Sequence, residues 1–475
     1  MSDQKHFRSL ADAVAHADDA TELTLDMSDD DVTLTGDIGQ LWALEVLNLT
    51  DCPKTLSVPP EVSRLSRLRE LSIEADYGEE LAFGGAIAGA FAGLPIEQLT
   101  LTRCTIAGAL PMPGVRELSL HGVTDVHADV EVVARLMPRL KKLSLNGEGD
   151  DRSSLPASIG DLAELEELDI DDCGVTTLPP EMARLTRLRV LSMDESFPAK
   201  IMPREIGSLS SLESLSFAIE TDDIPDELGR LRQLTVLKLR GAFTKKKKPL
   251  PAAIGALSSL EHLDLGRCEA SDFAPLSSLT NLKWLGLGST NLKNLAPLSS
   301  LTSLEELDLD NCDTITDFAP LSSLTGLRNL HLCSSSFKSL DFLLPLTELK
   351  TIDVDDNKMS KLGLLYEPPL IDRIVFERAD EDDEDELEYA DDSRLRFWSG
   401  AGPAQAAVHR TAATGPHRRR RWLQCRRRTG HRGGPAVRRG DVDGEEAHPG
   451  HPVWRRARAR AREEGHQEEA PPRRR

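Results

Sequence analysis

The chain has 475 residues, with 79 Asp+Glu against 57 Lys+Arg and a formal charge of −22. Residues 1–392 hold 71 acidic against 36 basic side chains, a balance of −35, whereas residues 393–475 hold 8 against 21, a balance of +13. An acidic body repels phosphates, which argues against nucleic acid as its ligand and for basic surfaces or cations. No window of about 18 apolar residues is present to span a bilayer.

The N-terminus, from Met1 to Arg8, lacks the apolar stretch of a signal peptide. A cytoplasmic location is therefore the expectation. Phe7, Leu10 and Val14, with the small Ala11 and Ala17, recur at helical spacing. They predict a short amphipathic helix within residues 1–19 that caps the first of the units that follow.

From Ala20 onward apolar residues return on a fixed beat. Units open at Ala20, Leu44, Leu68, Ile96, Val115, Leu140, Leu165, Leu188, Leu212, Leu234, Leu260, Leu282, Leu304, Leu327, Leu349 and, in degenerate form, Ile371. The clearest copies are Leu165-Glu166-Glu167-Leu168-Asp169-Ile170-Asp171-Asp172-Cys173 and Leu304-Glu305-Glu306-Leu307-Asp308-Leu309-Asp310-Asn311-Cys312. Alternation inside each copy predicts a strand with its leucines on one side. One such unit cannot bury its own apolar edge, so the copies must stack.

Between strands the chain uses two return types. One carries Leu-Pro, as at Leu155-Pro156 and Leu178-Pro179; the other repeats Ala-Pro-Leu-Ser-Ser-Leu-Thr at 274–280, 296–302 and 319–325. Both are short enough to predict 3₁₀ turns, and the segment from Val130 to Leu136 predicts a longer convex helix. The stretch from Leu68 to Val115 is irregular and contains a Gly/Ala-rich run from Gly84 to Gly93.

The motif L-x-x-L-x-L-x-x-C resembles the leucine-rich repeat family over residues 20–378. Block 271–349 resembles internalin repeats, and the Leu-Pro units resemble the intracellular Ras-binding and plant-type classes. The resemblance implies an α/β leucine-rich repeat solenoid of about 15 repeats. A curved parallel sheet would line its concave face, with short 3₁₀, irregular or helical returns on its convex face. Internalins are secreted adhesins with an export signal and a wall anchor. Neither is visible here, so that role does not carry over.

Chemistry-bearing patterns are sparse. Cys52, Cys104, Cys173, Cys268 and Cys312 share one place in their repeats, and no two lie in adjacent repeats. A gap of two strands, each about 4.8 Å wide, exceeds the reach of a disulfide. Without a C-x-x-C pair, zinc is not expected. These read as buried thiols bonded to the backbone of their own turn. Lys245-Lys246-Lys247-Lys248 reads as a solvated loop, with an anion patch as the alternative. The acidic spacer 379–392 lacks the spacing of a Ca²⁺ loop. Nucleophile, P-loop, zinc-protease and dinucleotide motifs are missing, and Cys425 lies in an Arg-rich context unlike a ligase domain. The expectation is a monomeric, non-enzymatic binding protein without cofactor or metal.

The residues between the leucines face the concave side in columns, one per repeat. The central column reads Asn48, Ser72, Thr100, Ser119, Ser144, Asp169, Ser192, Ser216, Lys238, Asp264, Gly286, Asp308, His331, Asp353. The next contains Asp171, Asp194, Arg240, Gly266, Gly288, Asp310, Cys333 and Asp355. The N-terminal third is rich in hydroxyls. An acidic zone follows at Asp169, Asp171 and Asp194. The last third joins Trp284 and His262 to Asp264, Asp308, Asp310, His331, Asp353 and Asp355. Gly286 and Gly288 predict a hollow beside the indole. An aromatic beside a hollow ringed by carboxylates suits a basic protein or peptide; a solvated acidic sheet is the bland alternative.

Residues 393–475 change character. All 21 basic residues are Arg, and Leu423 is the only leucine after Trp398. Two readings fit: a GC-rich gene read out of frame, or a genuine Arg-rich disordered tail that binds nucleic acid or the acidic body. In both, too few apolar residues remain to build a core.

Overall fold

In the computed structural model the described residues are 6–354 and 375–377, apart from 29–31, 79–80, 107–110, 148–152, 172, 194–201, 218–222 and 244–247. Asp194, Asp355, most of the Lys245–Lys248 run, the acidic spacer and the Arg-rich tail with Cys425 lie outside the described residues.

Among the described residues, the units build one 17-stranded sheet. Its strands are β1 His6–Phe7, β2 Glu22–Asp26, β3 Val46–Cys52, β4 Glu70–Ala75, β5 Gln98–Thr102, β6 Glu117–Val123, β7 Lys142–Gly147 and β8 Glu167–Asp169. They continue as β9 Val190–Met193, β10 Ser214–Phe217, β11 Val236–Lys238, β12 His262–Asp264, β13 Trp284–Gly286, β14 Glu306–Asp308, β15 Asn329–His331, β16 Thr351–Asp353 and β17 Val375–Glu377. Each strand pairs in parallel with the next one in this numbering. Sequential parallel pairing is what stacked single-strand units must give.

One ladder of aliphatic side chains runs beneath the sheet from Leu23 through Leu47, Leu168 and Leu307 to Ile352, in register at each step. Its members are at most 2% exposed. Burial of each such side chain contributes roughly 1.5–3 kcal/mol.

The returns are mostly 3₁₀ helices, and proline starts them in two ways. In the Leu-Pro type, proline is the N-cap with φ between −77° and −70°, as at Pro59, Pro156, Pro179, Pro203 and Pro225. In the Ala-Pro-Leu type, proline sits inside the first turn, and Asp272, Asn294 and Asp317 accept the amides of Ala274, Ala296 and Ala319 at 2.9 Å each. The proline ring presets φ for both positions. Neighbouring returns stack so closely that a Cβ at Gly160 would lie 2.6 Å from the Glu181 carbonyl oxygen, and one at Gly207 2.4 Å from that of Glu227.

Among the described residues, four α-helices interrupt this pattern. The expected convex helix is α3, Val126–Leu136, whose N-cap Asp125 accepts the Ala128 amide at 3.0 Å. The Gly/Ala-rich run forms α2, Gly85–Phe91, and a short α4 spans Ala252–Gly255. At the N-terminus the cap is more than a helix. His6–Phe7 adds an edge strand to β2 before α1, Leu10–Ala15, so the sheet edge is covered by pairing.

In eight repeats the chain turns through a left-handed residue at the end of the strand. Asp51, Arg103, Arg267, Ser289, Asn311 and Ser334 have φ between 51° and 61°, and Gly122 and Gly241 occupy the same place. This turn drives the next side chain inward. There Cys104, Cys173, Cys268 and Cys312 donate to the carbonyls of Ile73, Leu145, Leu239 and Leu287 at 3.7, 2.9, 3.1 and 3.1 Å. Ser335 does the same to Leu309 at 2.9 Å. The acceptors belong to the preceding repeat, which corrects the expected bond within the same turn. Cys52 follows that expectation, reaching Thr50 at 3.9 Å, and Cys104 does so as well, donating to Thr102 at 3.3 Å. Burial foremost pushes the Cys52, Cys104 and Cys268 thiols up to about 12.

Candidate binding surface on the concave sheet

The central column is assembled as the alternation predicts. Asn48 pairs with Ser72, Ser144 with Asp169, Asp169 with Ser192, Lys238 with Asp264, Gly286 with Asp308, Asp308 with His331 and His331 with Asp353. Apart from the buried Ser216, Asp264 and Gly286, the column is half-buried and meets solvent at the tips of its side chains.

The middle zone is partly neutralised from within. Asp169 accepts the Asp171 amide at 3.2 Å and the Ser144 hydroxyl at 3.4 Å, and burial still raises its pKa. Asp171 accepts the Ser192 hydroxyl at 3.0 Å. Lys142 lies 3.1 Å from Glu167. Lys238 and Arg240 then separate this zone from the second acidic one. Arg240 Nε stands 3.4 Å from Asp264 Oδ2, and Asp264 Oδ1 accepts the Gly266 amide at 2.8 Å. Asp264 is only 3% exposed, so it presents almost no surface to a partner; its role is to hold Arg240.

The indole does not stand beside a hollow. Trp284 stacks on His262 with ring centroids 4.0 Å apart and planes 6° from parallel. Its outer edge covers Gly286, where a Cβ would lie 2.5 Å from Cη2. Gly288 is filled likewise by the Asp308 carboxylate, 3.0 Å from where a Cβ would be. Space left by a glycine in a close-packed sheet is taken by its neighbours. Burial, then the Lys238 charge, pushes His262 down to about 4, so it is a neutral stacking partner.

From Trp284 a polar chain crosses four strands. Its Nε1–H donates to Glu306 Oε1 at 2.9 Å. Asn329 donates to Glu306 Oε2 at 3.1 Å and accepts from Thr351 at 2.6 Å. His331 bonds Asp353 through Nδ1 and lies 3.7 Å from Glu306 through Nε2. Asp308 accepts the Asp310 amide at 2.8 Å, and Asp310 accepts the Cys333 amide at 2.7 Å. Burial first, then the Asp308 charge, raises Asp310 to about 6. The nearby His331 ring leads, with the hydrogen bonds from Asn329 and Trp284 behind it, in holding Glu306 at about 2 against its burial.

Glu306 and Asn329 were not among the predicted residues. Their signal was available, because both share the column of Trp284. A second missed feature runs along the strand starts. The residue after the first leucine alternates in sign over three runs, Glu45 to Arg116, Lys141 to Glu213 and Glu261 to Arg328. Lys141–Glu166, Arg189–Glu213, Lys283–Glu261 and Arg328–Glu305 pair across repeats at 2.7, 2.8, 2.7 and 2.7 Å, and Arg69 pairs with Glu97. Each exposed pair contributes about 0–1 kcal/mol; together they oppose slippage of one repeat along the next. No group of His, Cys, Asp and Glu among the described residues is arranged to hold a metal ion, and no described helix is long and apolar enough to cross a membrane.

A family model described as a leucine-rich repeat region matches residues 98–248, and one described as leucine-rich repeats in two copies matches residues 280–323. The TMV resistance protein N of Nicotiana glutinosa is 34% identical over 140 residues, 28% of this chain. The match spans only 12% of that relative's length. A leucine-rich repeat protein of Leptospira interrogans superposes with a TM-score of 0.52 and 24% identity, covering 74% of this chain and all of that one. An internalin of Listeria monocytogenes reaches a TM-score of 0.47 and 19% identity, over 71% of this chain and 88% of its own.

Proposed function

Because the chain belongs to the leucine-rich repeat family, we propose that it is a non-enzymatic scaffold whose acidic concave face binds a basic protein or peptide. Repeats of this family generally serve protein–protein interaction. One observation carries the choice of partner. Asp308 and Asp310, adjacent on the same face of one repeat, are hydrogen-bonded to backbone amides, and among the described residues neither forms an ion pair with Lys or Arg. Their burial and mutual repulsion leave them poised to gain from a cation brought by a partner. The buried thiols support a reducing setting such as the cytoplasm.

The test is affinity capture with the full chain, followed by direct binding of each identified protein. The reading expects a basic protein whose affinity falls with added salt and is lost in an Asp308→Lys, Asp310→Lys double variant. Retention of binding by that variant refutes it. A salt-dependent shift of DNA that disappears on deleting 393–475 would instead favour nucleic-acid binding through the tail.

A further inference from the structure

His331 stands in the central column between Asp308 on β14 and Asp353 on β16. Both of its ring nitrogens face carboxylates: Nδ1 bonds Asp353 Oδ2, and Nε2 is 3.7 Å from Glu306 Oε1. A neutral imidazole has one N–H and one lone pair. Either neutral tautomer would aim that lone pair at a carboxylate, so the site is matched only by the imidazolium.

The surrounding charges agree. Strand β14 presents Glu306 and Asp308, the turn after it Asp310, and β16 presents Asp353. Strand β13 contributes the neutral Trp284, and β15 itself the neutral Asn329. Arg328 on β15's leading edge is turned to Glu305 at 2.7 Å. One cation thus faces four carboxylates. Burial pulls the imidazole down, and the Glu306 carboxylate beside it with the charges of Asp353, Asp310 and Asp308 outweighs that, holding His331 at about 9. The ring remains reachable, with 30% of its side chain exposed.

We propose that the His331 imidazolium is a built-in counter-ion occupying the cation seat of the acidic face, so that a basic partner binds in competition with its proton. This deepens the concave-face reading and rests on it. The consequence runs against intuition. Removing the one histidine that sits among the acidic residues should tighten binding of a cation, because a repelling charge is lost and Glu306 and Asp353 are released.

The experiment uses the full chain and acetylated hexa-arginine, whose guanidinium groups stay charged throughout the window. Titration calorimetry at low fixed ionic strength compares the wild type with His331→Asn and His331→Gln at about pH 7 and about pH 9.5. At the lower pH both variants should bind on the order of threefold to tenfold more tightly, the effect of one unit charge at short range in a partly solvated site. The wild type should close that gap at the higher pH, and the variants should show little change. In parallel, the imidazole ¹⁵N shifts of His331 at about pH 7.5 should report both nitrogens protonated. Variants that bind no tighter than the wild type, or a neutral His331 ring, overturn the counter-ion assignment alone. Failure of wild type and variants alike to bind the peptide at either pH overturns the concave-face reading and this one with it.

Discussion

Cys312 donates its thiol to the carbonyl oxygen of Leu287, 3.1 Å away in the preceding repeat. Ser335 does the same to Leu309 with a hydroxyl at 2.9 Å, so the position requires a small inward donor and not a thiol as such. Cys312→Ser should therefore cost less than Cys312→Ala, which strands a buried carbonyl at about 1–3 kcal/mol. Denaturant midpoints decide between them; a serine variant weaker than the alanine one would show that packing of the sulfur is what matters. The ladder thiols should also stay silent to a thiol reagent in the native state, since burial holds Cys52, Cys104 and Cys268 near 12.

Leu307 and Asp308 are neighbours in sequence with opposite fates. Leu307 is fully buried in the aliphatic ladder, while Asp308 stands on the concave face. Leu307→Ala should cost about 2–5 kcal/mol. Asp308→Ala should cost little or stabilise, because it relieves repulsion with Asp310 and ends the cost of burying a carboxylate. Equal losses in a denaturant melt would contradict the register.

Gly207→Ala tests stacking on the convex side. Its Cβ would meet the Glu227 carbonyl oxygen at 2.4 Å, which is backbone and cannot swing away. A loss of about 1–3 kcal/mol is expected from the forced separation of the two returns. Gly78 has nothing within 4 Å of the same atom, though its φ of +80° disfavours a side chain. If Gly207→Ala leaves the midpoint unchanged, the returns are spaced more widely than described.

The register was legible because alternation has a period of two and leucine marks the buried phase in repeat after repeat. From Asn48 to Asp353 the columns follow directly from the residues. What lay beyond reach is lateral. Nothing in the local pattern around Gly286 says that Trp284 will bend over it, because that outcome depends on His262 and Glu306 in the flanking repeats. The hydrogen-bond acceptors of the thiols belong to other repeats for the same reason. The edge ladder from Arg69–Glu97 to Arg328–Glu305 could be read only by comparing one position across all units. The two-residue strand His6–Phe7 is too short for any periodicity to show.

Stability should depend on pH through three groups on the concave face, His331, Asp310 and His262. His331 is raised to about 9, so its contribution is complete below the unfolded value of about 6.5 and is lost as pH climbs through 9. Asp310 is raised to about 6, so the native state holds its proton more tightly, and stability falls as pH rises from about 4 through 6. His262, pushed down to about 4, works the other way, with stability rising as pH passes from 4 through about 6.5. The Asp310 and His262 contributions oppose each other in that window, so denaturant midpoints should decline clearly only from about pH 6.5 to about pH 9.5. His331→Asn should flatten that slope, and Asp310→Asn should unmask the rise that His262 gives below it. A midpoint that rises from about pH 6.5 to about pH 9.5 would contradict the His331 assignment.

The last prediction concerns the place of the indole. Trp284 is held from three sides: stacked on His262 at 4.0 Å, bonded to Glu306 at 2.9 Å, and lying on Gly286. A methyl group at 286 would lie 2.5 Å from Cη2 and 2.8 Å from Cζ3, so Gly286→Ala must lift the ring off the sheet. The expected cost is about 1–3 kcal/mol, together with a shifted Nε1–H resonance as the bond to Glu306 lengthens. Trp284→Phe should keep the stack and lose that bond, freeing Glu306 to pair more fully with His331. For a captured basic partner, Trp284→Ala should lose more than about 2 kcal/mol of affinity if the ring anchors the site. Gly286→Ala, which retains the ring and displaces it, should lose a similar amount. A Gly286→Ala protein with wild-type affinity and an unshifted indole resonance would mean that the ring neither rests on Gly286 nor organises the surface around it.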